Sequence, residues 1–178
     1  MTNIVRVQPD ERNLKELLKP YRPVAAAMNA MKIRDLADLI LAISSLWTDI
    51  MCTQKYIIAS STDRITGAIT HYYIEKQKGF TPKPGELRRD PEAGDDFVIL
   101  PEQNLNEALE QLRPVITAMK AMDLEDLIDL CTAVDKMRCH LTAHTPEEVT
   151  ATLAWFYITR VKEYTPKPGE LRQPKSLS

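Results

Sequence analysis

Apolar residues recur along much of the chain at intervals of three and four residues, which is the spacing of one face of an α-helix. The clearest stripe consists of Leu36, Leu39, Ile40, Ile43 and Trp47. Two further stripes correspond to one another, and their members are Ile65, Ile69 and Tyr72, and Val149, Leu153 and Phe156. The pattern predicts an all-α fold.

The chain also matches itself, at two different offsets. Residues 11–39 align with residues 102–130 at an offset of 91, with 16 identities in 29 positions. Residues 81–88 align with residues 165–172 at an offset of 84, with eight identities in eight. The offsets differ by seven residues, which is almost two turns of a helix at about 3.6 residues per turn. The sequence therefore predicts a tandem duplication in which the segment between the two matches is helical.

Each copy is predicted to contain three helices. The first begins at Asn13 or Asn104, because a glutamate follows each asparagine at the spacing that lets the two side chains satisfy exposed amides. Pro23 and Pro114 fall inside this helix, where a proline either kinks a helix or begins a new one, and both outcomes stay open.

The second helix is predicted to span about residues 34–59 in the first copy and about residues 124–143 in the second, where Asp123 and Asp126 are placed to cap its start. The third begins at a capping residue in each copy, at position 61 or 145. We expect the two three-helix units to form one pseudo-two-fold helical bundle. Its predicted parts are a first repeat at residues 1–89, a linker at residues 90–103 and a second repeat at residues 104–178.

Four methionines, Met28, Met31, Met119 and Met122, occupy matching positions in the two copies. Flexible apolar side chains suit a binding groove, and they also suit the interior between two packed units. The pattern favours the interior, because this is the best-matched stretch and a duplicated unit needs a matching interface.

Composition restricts the class of protein more than its function. The chain has 178 residues, 44% of them hydrophobic, and a formal net charge of -2. Its apolar runs are interrupted before about 20 residues, so we expect no membrane span, and the first residues lack the pattern of a secretory signal. The three cysteines, Cys52, Cys131 and Cys139, form no close pair and are interpreted as reduced packing residues. We expect a cytoplasmic protein.

No constellation typical of catalysis or of a cofactor stands out. Asp35 and Asp38 recur as Asp126 and Asp129, but acidic pairs at this spacing on an amphipathic helix are usually its solvated face. His140 and His144 have the spacing of two zinc ligands on a helix, yet no third ligand accompanies them, so we interpret them as solvated or capping residues. The prediction is a non-enzymatic protein with no metal and no cofactor.

Basic residues gather near the end of each copy. They are Lys76, Lys78, Lys83, Arg88 and Arg89 in the first, and Arg160, Lys162, Lys167, Arg172 and Lys175 in the second. Such groups can contact phosphates or an acidic protein surface. Nucleic-acid binding through these ends is therefore the alternative function.

The eight identical residues that close each copy, the repeated segment, are the sharpest signal. They are Thr81, Pro82, Lys83, Pro84, Gly85, Glu86, Leu87 and Arg88, and Thr165, Pro166, Lys167, Pro168, Gly169, Glu170, Leu171 and Arg172. Proline, glycine and leucine suit a structural clasp that ends a helix. Identical lysine, glutamate and arginine instead suggest a partner-binding site, and both interpretations stay open.

A helix that ends in an aromatic residue followed by Pro-x-Pro-Gly-Glu-Leu-Arg resembles the end of small helical phage replication proteins. These are of the loader and inhibitor type, which binds a replicative helicase. The residues that carry the resemblance run from Phe80 to Arg88 and from Tyr164 to Arg172. It implies a phage or prophage accessory protein that binds and modulates a host or phage protein machine, in replication or in host takeover and anti-defence inhibition.

Overall fold

The computed structural model describes residues 12–79, 88–89, 98–99, 109–142 and 145–174. Most of these residues are helical, and the prediction of an all-α fold is confirmed. The helices of the first half are α1 (Leu14–Leu18), α2 (Tyr21–Asn29), α3 (Ile33–Thr53), a 3-10 turn (Tyr56–Ser60) and α4 (Thr62–His71), which continues as a π-helical segment (Tyr72–Gln77).

The described part of the second half has the same order of elements. It contains α5 (Leu112–Lys120), α6 (Leu124–Met137), a 3-10 turn (Arg138–His140) and α7 (Pro146–Phe156), which continues as a π-helical segment (Tyr157–Val161). Between the halves, β1 (Arg88–Arg89) pairs antiparallel with β2 (Val98–Ile99), with Arg88 opposite Ile99. The backbone of β2 lies against α4.

The helices begin where capping residues predict. The Asn13 side chain accepts a hydrogen bond from the Lys15 amide at 2.9 Å, Ser61 accepts one from the Arg64 amide at 3.1 Å, and Thr145 accepts one from the Glu148 amide. Asp123 occupies the cap position of α6, but its side chain makes no capping hydrogen bond. The predicted start at Asn104 lies outside the described residues.

The two prolines mark the beginning of helices. Pro23 lies in the first turn of α2, and the chain turns between α1 and α2 at residues 19 and 20. Pro114 lies in the first turn of α5. At these positions a proline costs no intrahelical hydrogen bond, because the first amides of a helix have no carbonyl partner within it.

The second helix differs in length between the halves by the amount that the two offsets predict. α3 has 21 residues and α6 has 14, a difference of seven. Both nevertheless end earlier than predicted. α3 ends at Thr53 because Gln54 adopts a left-handed conformation, with φ of 57°, which ends the helical ladder. α6 passes into the 3-10 turn at Arg138 instead of reaching residue 143.

Buried side chains from the two halves form one continuous cluster. α2 packs against α5 and α3 packs against α6, while α2 also contacts α7 and α4 contacts α5. All three predicted apolar stripes are buried. Ser44 on α3 donates a hydrogen bond to Asp135 on α6 at 2.9 Å, and these two residues lie 91 positions apart.

The four methionines belong to this cluster. Met28 and Met119 are fully buried, and Met31 and Met122 nearly so. The interior position that the sequence favoured for them is therefore confirmed. Cys131 is buried as predicted, whereas Cys52 and Cys139 are exposed, so interpreting those two as packing residues was wrong.

α3 is long and apolar enough to cross a membrane by length and composition alone. Half of its most apolar window is buried inside the fold. The expectation of no membrane span treated Asp, Ser and Thr as interruptions of the apolar runs, although the helix continues through them.

Candidate functional site

The repeated segment of the second half forms a clasp at the end of the π-helical segment. Tyr164, immediately before it, is buried and donates its hydroxyl hydrogen to the Glu170 carboxylate. The Glu170 amide donates to the carbonyl of Lys167 at 2.9 Å, which closes a turn. Gly169 lies in that turn with φ of 79°, a conformation that glycine adopts without a steric penalty. Leu171 is partly buried and packs against the core.

An arginine from the other end of the chain holds the clasp from outside. The Arg12 guanidinium donates to the carbonyl oxygens of Lys162 at 2.6 Å and Glu163 at 3.0 Å. The same group lies 5.9 Å from the centre of the Tyr164 ring, within range of a cation–π interaction. The start of the described chain is thus joined to its end.

The charged residues of this segment differ in whether their side chains contact the rest of the fold. Glu170 is half-buried and bound to Tyr164, so its side chain has a role within the fold. Lys167 and Arg172 are exposed. The fold therefore uses Glu170 and Leu171, and it leaves the two cations directed toward solvent.

The repeated segment of the first half falls mainly outside the described residues. Residues 81–87 are not described, and of Arg88 only the backbone is, in the ladder with Ile99. Phe80 stands where the second half has Tyr164, and phenylalanine has no hydroxyl. Glu86 therefore cannot receive from Phe80 the hydrogen bond that Glu170 receives from Tyr164.

A second arrangement is present in both halves, and we call it the Lys–Asp–Asp cluster. In the first half the Lys78 ammonium donates to Asp35 and, at 2.7 Å, to Asp38. In the second half the Lys162 ammonium donates to Asp126 at 2.8 Å and to Asp129 at 2.6 Å.

Each cluster joins the end of a π-helical segment to the first turns of the second helix. The lysine amide closes the π-type turn on a tyrosine carbonyl five residues earlier, at 3.0 Å for Lys78 and 2.9 Å for Lys162. The ammonium group then reaches the two aspartates of α3 or α6. The next residue is left-handed in both halves, Gly79 with φ of 66° and Glu163 with φ of 54°.

The clusters correct two interpretations of the sequence. The four aspartates are not a freely solvated face, because each accepts a hydrogen bond from a lysine and is only 20–25% exposed. Lys78 and Lys162 are likewise engaged within the fold and do not belong to free basic ends. Lys76 and Arg160 remain exposed beside them.

A tyrosine completes each cluster. The Lys78 ammonium lies 5.3 Å from the centre of the Tyr73 ring, and the Lys162 ammonium lies 5.4 Å from that of Tyr157. Burial raises the pKa of Tyr157 to about 12, although Lys162 opposes the shift. Burial by itself lowers the pKa of Lys162, but the hydrogen bonds to Asp126 and Asp129 outweigh it and raise the pKa above its ordinary value.

The arrangement is suited to holding helices together rather than to proton transfer. A lysine with a raised pKa stays protonated at neutral pH, so it has no lone pair with which to act as a base or a Schiff-base nucleophile.

The four residues of the cluster are identical in both halves, and the sequence held a signal for them. In the diverged stretch from Ser61 to Phe80 only four of twenty positions match residues 145–164, and Tyr73 and Lys78 are two of them.

The pKa shifts predict that the protein loses stability at alkaline pH. The ordinary pKa is 10.0 for tyrosine and 10.5 for lysine, and the folded values of Tyr157 and Lys162 lie above these. Above about pH 10 the unfolded chain therefore releases protons that the folded chain keeps, and the free energy of unfolding falls as pH rises. We expect the urea midpoint to decrease steadily between pH 9.5 and about 12. A midpoint that stays constant over this range would contradict the shifts, and Tyr157→Phe should make the decrease shallower.

The helix on which His140 was expected does not continue past it, because residues 141 and 142 are not helical. His140 ends the 3-10 turn, is exposed and stacks on the Phe156 ring with a 5.6 Å separation of ring centres, while His144 lies outside the described residues. Within the described ranges, no three His, Cys, Asp or Glu side chains come close enough together to hold a metal ion.

Comparisons of the chain with protein families, curated proteins and solved structures gave no match.

Proposed function

We propose that the protein is a non-enzymatic helical adaptor or inhibitor that binds a protein partner through its two repeated segments. In this proposal the chain is a tandem duplication of one helical unit, folded as one pseudo-two-fold bundle. Matching contacts support that arrangement. Helices at equivalent positions of the two halves pack on one another, and the same Lys–Asp–Asp cluster occurs in both. Ser44 donates a hydrogen bond to Asp135, which is the residue equivalent to it in the other half.

The observation that carries the proposal is the exposure of Lys167 and Arg172. The clasp uses Tyr164, Glu170 and Leu171, and none of its described contacts needs a cation at position 167 or 172. Both cations are nevertheless identical in the other repeated segment, as Lys83 and Arg88. Retention of charge without a role in the fold is typical of a surface that recognises a partner.

The nature of the partner follows from the charge and from the resemblance. Two cationic segments suit an acidic protein surface, and two equivalent segments on one chain can bind two equivalent sites with a gain in affinity through effective concentration. The resemblance to phage replication accessory proteins favours a host or phage protein machine such as a replicative helicase. We propose this assignment as the class of partner to test first.

Nucleic-acid binding remains the alternative of a different class. Lys78 and Lys162 cannot contribute to it, because aspartates bind them. Arg160, Lys167 and Arg172 are exposed and could contact phosphates. Binding to labelled single-stranded and duplex DNA at 50 and 200 mM salt separates the two functions. Affinity that is strong and falls steeply with salt would favour the alternative, because it reports phosphate contacts.

Replacing the exposed cations at positions 167 and 172 should weaken partner binding without unfolding the protein. We expect Lys167→Ala with Arg172→Ala to change the free energy of unfolding by less than about 0.5 kcal/mol per residue, since both side chains are exposed. An affinity pulldown from host lysate, followed by mass spectrometry, should then recover less of the partner. Adding Lys83→Ala and Arg88→Ala should remove the remainder.

The matched control removes two exposed cations outside the segments, with Lys76→Ala and Arg160→Ala. It carries the same change of charge as the variant of the second segment and should keep full partner recovery. If the control loses the partner equally, overall charge is responsible. If the variant with all four substitutions keeps the partner, the segment is a structural clasp only.

A further inference from the structure

A cleft opens beside α5, on the side that faces α4. It has a volume of about 230 Å³. The residues that line it are Thr70, Leu109, Leu112, Arg113, Ile116, Thr117 and Lys120. Its floor is apolar, with Leu109, Leu112 and Ile116 buried, and two exposed cations stand at its rim.

The equivalent place in the other half, between α2 and α7, is filled by a tyrosine. Tyr21 is buried, stacks on the Tyr157 ring with 5.6 Å between ring centres, and donates its hydroxyl hydrogen to the Thr150 carbonyl at 2.6 Å. Asn29, on the same helix, accepts a hydrogen bond from the Thr150 hydroxyl at 2.8 Å. Two side chains of α2 are thus joined to α7.

Three positions differ together at the α4–α5 cleft. An offset of 91 puts Leu112 in the place of Tyr21 and Lys120 in the place of Asn29, and an offset of 84 puts Thr70 in the place of Ala154. The Thr70 hydroxyl donates a hydrogen bond to the Thr66 carbonyl at 2.8 Å. This carbonyl therefore has a side-chain donor without a tyrosine on α5. This half therefore has no aromatic ring at this place, although the Thr66 carbonyl still has a hydrogen-bond donor. What remains is a cavity with a lysine at its edge.

We propose that this cleft binds a small aromatic carboxylate. A volume below about 300 Å³, the lower end for drug-sized ligands, admits a single ring rather than a larger molecule. The apolar floor suits the ring, as the interior between α2 and α7 suits the ring of Tyr21. Lys120 at the solvent edge suits a carboxylate, which keeps its charge near water while the ring is buried.

This inference is independent of the proposed function, since none of the cleft residues belongs to the repeated segments. The probe is 4-hydroxyphenylacetate, titrated into the isotope-labelled full chain and followed by NMR. We expect saturable shifts of the Thr70, Leu112 and Ile116 methyl signals, with a Kd of about 1 mM for a ligand of this size. The neutral 4-hydroxyphenylacetamide should bind at least about five-fold more weakly, because it lacks the charge that Lys120 attracts.

Substitutions on α5 test the location. Leu112→Tyr restores the residue type of the other half and should abolish binding by filling the cavity, while Lys120→Gln should weaken it about three-fold or more through loss of charge. Arg22→Gln removes the cation of α2 at the position equivalent to Arg113 and should leave the titration unchanged. A thermal melt checks each variant for folding. If Leu112→Tyr fails to fold, Thr117→Trp at the exposed rim takes its place by obstructing the entrance.

Three results would overturn the proposal. The first is no saturable shift of the cleft methyl signals up to about 10 mM probe, which is about ten times the expected Kd. The second is equal affinity for the acid and the amide, which would remove the role of Lys120. The third is unchanged binding in the variant that fills or obstructs the cleft, which would locate the ligand elsewhere.

Discussion

Replacing Lys162 by methionine should lower the free energy of unfolding by about 3 kcal/mol, because two partly buried carboxylates then lose their cation. The ammonium group donates to Asp126 and Asp129 at 2.8 and 2.6 Å, and the lysine side chain is only 15% exposed. Methionine keeps the length and apolar stem of lysine, so the loss reports the charge. Urea unfolding at pH 7 measures it.

Two further variants identify the origin of the loss. Lys167→Met removes an exposed lysine from the same end of the chain and should change stability by less than about 0.5 kcal/mol. Adding Asp126→Asn and Asp129→Asn to Lys162→Met should recover part of the loss, because the unpaired charges are removed with the cation. If Lys162→Met alone is as stable as the wild type, the cluster contributes nothing measurable to the fold.

The helix starts could be predicted because their causes are local. The side chains of Ser61 and Thr145 each accept a hydrogen bond from an amide three residues away. For Pro114 the sequence left a kink and a helix start open, and the structure has it in a first turn. The apolar stripe of α3 was equally readable, since every third or fourth residue faces the core. Helix ends were harder to predict. A left-handed Gln54 has no strong sequence signature, unlike a glycine at the same position.

The Lys–Asp–Asp cluster could not be read from spacing alone, because it joins residues far apart in sequence. Lys78 lies 40 residues from Asp38, and Lys162 lies 33 from Asp129. An aspartate at the start of a helix looks the same in sequence whether it faces water or a lysine from a later element. The role of Glu170 within the fold was hidden for a similar reason, since its partner Tyr164 reaches it through the turn that Gly169 permits.

Identity and divergence between the halves carry different information once the contacts are known. Where the halves agree, as at the lysine, tyrosine and aspartates of the clusters, the residues hold each half together internally. Where they differ in a coordinated way, as at Tyr21 and Leu112, one half has closed a site that the other leaves open. Identical residues whose side chains make no described contact within the fold, such as Lys167, are then the ones on which the proposed partner site rests.

Separating the two halves should abolish cooperative folding of each. The contacts between α2 and α5 and between α3 and α6 cross from one half to the other. Val24 and Met28 on α2 and Val115 and Met119 on α5 are all fully buried. A chain of residues 1–94 or 95–178 expressed alone would expose this apolar surface to water, which is unfavourable in proportion to its area.

We therefore expect each half alone to be insoluble or to melt without a cooperative transition, and the co-expressed halves to associate and recover one. The control is the intact chain cleaved at a protease site inserted near Gly94, where the halves should stay together after cleavage because the buried contacts, rather than the peptide bond, hold them. Thermal melting followed by circular dichroism, together with size-exclusion chromatography, distinguishes these states. Two halves that each melt cooperatively on their own would mean that the contacts between them are not needed for folding. The proposed single pseudo-two-fold body would then be replaced by two independent domains.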